Sequence, residues 1–193
     1  MKILLKISLA AAMSFSACNN QNSGTGERNS KADTTIPPTQ TATYSTSQAN
    51  ASIDEVVSDY LQIKNALTQD DAKQAAAGGT AFVEAMDKMN NSSMTADQKK
   101  AYDDISGDAK EMAEHIGKSA DRIAHQREHF EMLSKDMYDL VTIFKTGRPL
   151  YKEFCPTYNN GKGGAWISET REIKNPYLGK KMSGCGEVKE EIK

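Results

Sequence analysis

The sequence predicts an all-α fold: a four-helix up-down bundle with an irregular C-terminal segment wrapped on it. Three observations predict it. Apolar residues recur at three- and four-residue steps through most of residues 51–145. The breaks between these runs are short and carry capping residues, which sets neighbouring helices antiparallel. After Gly147 and Pro149 the helical period gives way to aromatic, Gly, Asn and Pro residues. The 193 residues carry 24 Lys+Arg against 26 Asp+Glu, a net charge of -2, without the basic stripe that nucleic-acid binding needs. Nucleic acid is therefore excluded as a partner.

The chain opens with Lys2 and Lys6 around a short apolar run, Ile3-Leu4-Leu5 and Ile7 to Ala12. That run is too short to span a bilayer. A basic start, an apolar middle and small residues before a cleavage point are the layout of an export signal. Phe15-Ser16-Ala17-Cys18 resembles the bacterial lipobox. The resemblance implies that residues 1–18 are a lipoprotein signal peptide ending at an acylated Cys18, the lipidation site. Two or more acyl chains give stable membrane attachment. Asn19 after the cysteine resembles the sorting signal for the outer membrane, with the protein facing the periplasm. Residues 19–50 are rich in Asn, Gln, Ser, Thr and Gly, with Pro37-Pro38 in the middle. They predict a disordered tether that holds the domain off the lipid surface.

Residues 51–193 have the length of one domain. Ser52 with Glu55 has the spacing of a capping box, followed by Val56, Val57, Tyr60, Leu61, Ile63 and Leu67. Asp70 or Asp71 can cap a second helix carrying Ala75, Ala76, Phe82, Ala85, Met86 and Met89. Gly78-Gly79 falls inside it and weakens it by about 1 kcal/mol per glycine. Thr95 with Gln98 starts a third helix bearing Tyr102, Ile105, Ala109, Met112, Ala113 and Ile116. The fourth, over about residues 120–145, has the cleanest stripe: Phe130, Leu133, Met137, Leu140, Val141 and Phe144. From Leu150 on, Tyr151, Phe154, Tyr158, Trp166, Ile173 and Tyr177 are too apolar for a free tail and predict turns and extended pieces laid on the bundle, with Trp166 as an anchor.

Within that tail, Cys155-Pro156, Ala165-Trp166-Ile167-Ser168 and Asn175-Pro176-Tyr177-Leu178-Gly179-x-x-Met182-x-x-Cys185-Gly186 resemble a domain of unknown function common in Bacteroidetes lipoproteins. Upstream, Tyr60-Leu61-x-Ile63-Lys64-Asn65-Ala66-Leu67 and Gln126-Arg127-Glu128-His129-Phe130 fit the same resemblance. That domain is also found with copper and silver efflux proteins, including periplasmic membrane-fusion subunits. The resemblance implies an association with heavy-metal handling and an efflux membrane-fusion protein as partner. The family usually reads Cys-Pro-Met; here Thr157 takes the methionine's place and removes one soft donor.

Two sets of residues can hold an ion. Cys155, Met182 and Cys185 offer thiolate and thioether, which select Cu(I) and other soft ions. The same two cysteines, outside the cytoplasm, can instead close a disulfide. His125 and His129 stand one helical turn apart on the fourth helix, beside the buried stripe, and can ligate copper or a divalent metal. Arg122 and Arg127 oppose a cation there unless they point away or pair with acids. Gly161-Lys162-Gly163-Gly164 lacks the setting of a phosphate loop. No acid, base and nucleophile set is visible, so the expectation is a binding module and not an enzyme. The expected function is a membrane-anchored periplasmic module that binds soft ions, copper foremost, for buffering or handover to an efflux system. The alternative is a structural or protein-interaction domain with a Cys155–Cys185 disulfide and no metal.

Overall fold

The computed structural model describes residues 46–89 and 91–193, with side chains from Ile53 on. The signal peptide, Cys18 and most of the predicted tether lie outside the described residues. Among the described residues four long helices are joined by short turns: α1 Thr46–Thr68, α2 Ala72–Lys88, α3 Ala96–Gly117 and α4 Ile123–Phe144. None of the described helices is long and apolar enough to cross a membrane.

The predicted stripes form the core. Val56, Tyr60, Ile63, Phe82, Met86, Ala109, Ile116, Phe130, Leu133, Met137 and Leu140 are all fully buried. The Asp71 carboxylate caps α2 by accepting from the Gln74 N–H at 2.9 Å. Thr95 and Gln98 close the predicted capping box on α3. The cap expected at Ser52 is not a helix end: α1 begins at Thr46 and runs through it. Gly78 and Gly79 are sites of close helix approach. A Cβ on Gly78 would lie 2.9 Å from Ile63 Cγ1, and one on Gly79 would lie 2.6 Å from the Ala113 carbonyl oxygen. The missing side chains let α2 sit against both α1 and α3, which offsets the propensity cost.

The C-terminal segment lies on the bundle, and its extended pieces pair. Strand β1 (Leu150–Cys155) is central, with β2 (Gly164–Ser168) and β3 (Glu187–Ile192) antiparallel on either side. The registers are Glu153 opposite Trp166 and Leu150 opposite Ile192, with a bulge at Lys152/Glu153. Trp166 is fully buried, as an anchor should be. The Asn175 side-chain oxygen accepts from the N–H groups of Tyr177 and Leu178, while its side-chain NH2 donates to the Cys185 carbonyl at 2.7 Å. Arg127 on α4 donates to the carbonyls of Pro176 and Leu67 and to Asp70. The Asn-Pro-Tyr string is thus the place where the tail is tied to the bundle.

Candidate metal centre

α3 and α4 form an antiparallel hairpin, and its tight end positions the site. Gln126 is fully buried and donates its amide to the Ile116 carbonyl at 3.1 Å and to the Ala72 carbonyl at 2.8 Å. That locks the start of α4 onto the end of α3. His115, in the last turn of α3, is thereby brought over the His125–His129 face of α4. The three ligand atoms lie within 4.8 Å of one another.

His125 Nε2 and His129 Nε2 are 3.1 Å apart. The His115 ring stacks on the His129 ring with centroids 4.4 Å apart, and the His125 ring meets His129 edge-on at the same distance. Ligand nitrogens about 2.0 Å from a tetrahedral ion stand about 3.3 Å apart, so the Nε2 separation matches a chelate edge within a few tenths of an ångström. The outer nitrogens have partners as well. His125 Nδ1 lies 3.3 Å from the Glu128 carboxylate, His115 Nε2 lies 3.7 Å from that of Glu111, and His129 Nδ1 lies 3.4 Å from Met112 Sδ. Carboxylates on the far nitrogen of an imidazole orient the ring and raise its basicity toward a metal. Burial first, and then the neighbouring His125 and His115, hold the His129 imidazole below its ordinary pKa. Its neutral, metal-binding form is favoured.

Neither nearby arginine opposes a cation. Arg127 is engaged with Asp70 and the tail, and Arg122 with Ser119 and Asp121. Further along the same face Met132 is exposed, and the Asp136 carboxyl is pushed up to about 6 by burial and by Asp108 and Asp139.

The sulfur set is brought together in a different form. Cys155 and Cys185 are joined by a disulfide, with Cα atoms 5.7 Å apart. The Thr157 hydroxyl lies 3.3 Å from Cys155 Sγ and 3.2 Å from Cys185 Sγ. Met182 stands exposed one turn before Cys185, whose N–H bonds the Met182 carbonyl. While the disulfide is closed, neither cysteine has a thiolate to offer. His115 and Met112 were not among the predicted ligands. The signal in the sequence was that all 3 histidines fall within two adjacent helices.

Comparison with curated proteins and with solved structures found no match. Residues 56–148, which take in the histidine cluster and stop short of the cysteine-bearing tail, match the family model described as "Protein of unknown function (DUF3347)".

Proposed function

We propose that the protein is a lipid-anchored module of the cell envelope that binds a transition-metal ion, copper foremost, at His115, His125 and His129. The observation that supports this is the convergence of three imidazoles from two helices, with carboxylates behind two of them. Imidazole suits copper and zinc, and copper(II) heads the affinity order for such ligands. Three protein ligands leave a position open for exchange. His115 is exposed and His125 partly so, which suits uptake and release at the surface. In this reading the protein buffers the ion or hands it to an efflux partner in the periplasm, and catalyses no reaction. The lipobox-like residues before Cys18 support the lipid anchor, and Asn19 after it supports the outer-membrane location.

The disulfide favours a second reading, a structural or protein-interaction domain without metal. Titration of the full chain with Cu(II) against a competing chelator separates the two. The metal reading predicts that His115→Ala, His125→Ala and His129→Ala together lower the affinity by at least about a hundredfold, or about 2.8 kcal/mol of binding free energy. It also predicts that Cys155→Ser with Cys185→Ser leaves the affinity intact. A triple-histidine variant that binds like the parent would leave the structural reading standing.

A further inference from the structure

The two halves of the Cys155–Cys185 disulfide meet solvent unequally. Cys155, at the end of β1, is fully buried, whereas Cys185 is partly exposed. The ground around Cys185 is open. A Cβ built on Gly184, the residue before it, would meet nothing within 4 Å. Met182, Ser183 and Gly184 are exposed, and so are Lys180 and Lys181 on the turn Gly179–Met182 that leads to the cysteine. Positive charge on this approach favours an incoming anion. Bonds other than the disulfide hold Cys185 in place. The buried Asn175 donates its side-chain NH2 to the Cys185 carbonyl at 2.7 Å and its backbone N–H to the Ser183 carbonyl at 2.8 Å. The Cys185 N–H bonds the Met182 carbonyl at 3.2 Å. These contacts keep the two sulfurs close when the bond between them is opened.

We propose that Cys185 is a site of reversible modification by small anionic thiols, with Cys155 as the buried sulfur that leaves and later resolves the adduct. Which sulfur a thiolate attacks depends on access, and access here belongs to Cys185 alone. The incoming sulfur bonds Cys185 Sγ and the Sγ–Sγ bond breaks. Its electron pair leaves on Cys155 Sγ, which takes up the proton that the attacking thiol has lost. The Thr157 hydroxyl, 3.3 Å from Cys155 Sγ, is placed to donate to the leaving sulfur. In the reverse step the Cys155 thiolate attacks Cys185 Sγ and expels the thiol. Neither direction consumes an oxidant or a reductant beyond the thiol itself. Because Asn175 holds the Cys185 backbone whether the disulfide is open or closed, the pair is built to re-form. The proposal is independent of the histidine centre.

The test treats the oxidised full chain with glutathione, quenches with acid and maps the adduct by peptide mass spectrometry. The folded chain is expected to carry glutathione on Cys185 and a free thiol at Cys155. In urea, where burial no longer separates the two sulfurs, both positions are expected to carry it. Two single variants, treated with glutathione disulfide, read the same asymmetry from the other side. Cys185 in Cys155→Ser is expected to take up glutathione at least about ten times faster than Cys155 in Cys185→Ser. An adduct on Cys155 of the folded parent overturns the proposal. So does a folded chain that forms no adduct while the chain in urea does, since the disulfide is then a sealed staple. A preference for Cys185 that persists unchanged in urea overturns it as well, because the fold is then not its source. The mapping on the parent stands even where a cysteine variant fails to fold.

Discussion

Glu153 is a residue whose charge the fold resists. It is fully buried on β1, and neither carboxylate oxygen has a hydrogen bond of good geometry. Burial pushes its carboxyl up to about 7, with Trp166 and Lys64 pulling against the shift. Lys64, itself buried, is committed to Glu169 at 2.6 Å. A carboxyl raised on folding means that the folded chain holds a proton the unfolded chain has already lost. Stability is then highest below the ordinary carboxylate pKa, falls as pH rises toward 7, and levels off above it. Glu153→Gln removes the charge at nearly constant shape. Urea melts are expected to show the variant more stable by on the order of 2–3 kcal/mol at pH 8 and equal to the parent at pH 4. An equal loss at both pH values would contradict this. Asp136, pushed up to about 6, adds a shallower dependence of the same sign that Glu153→Gln leaves in place.

At the scale of elements, the helices were legible because each carries its own signal. Thr95-x-x-Gln98 closes the box that its spacing announces, and the Phe130-to-Phe144 stripe is buried in full. Gly78-Gly79 could be read only as a weakness, since nothing local tells which helix presses on it. Gly79→Ala tests that contact. Its Cβ would meet the Ala113 carbonyl, so despite a gain of about 1 kcal/mol in helix propensity the net change is expected to be a loss of about 1–3 kcal/mol in thermal or urea unfolding. The sheet was less legible. β3 is Glu187-Val188-Lys189-Glu190-Glu191-Ile192, an exposed edge whose charges read as a solvated tail, and its partner strand lies far back in the chain. Its pairing is set by tertiary context and not by periodicity. The site was half legible for the same reason. His125 and His129 share a helix face by spacing alone, but His115 joins them only because the α3–α4 turn folds it back.

At the scale of the molecule, two centres divide the labour. The Cys155–Cys185 disulfide and Asn175 fasten the C-terminal segment to itself and Arg127 ties it to the bundle, while the histidine cluster sits at the α3–α4 end. Replacing both cysteines with serine is expected to cost roughly 3–4 kcal/mol of unfolding free energy by the loop-entropy account, with metal affinity unchanged. The metal claim itself is tested most directly by electron paramagnetic resonance of the full chain loaded with one equivalent of Cu(II). The account predicts hyperfine coupling to several imidazole nitrogens, reduced stepwise by His115→Ala and His129→Ala. A spectrum of oxygen ligation that neither substitution alters would contradict it.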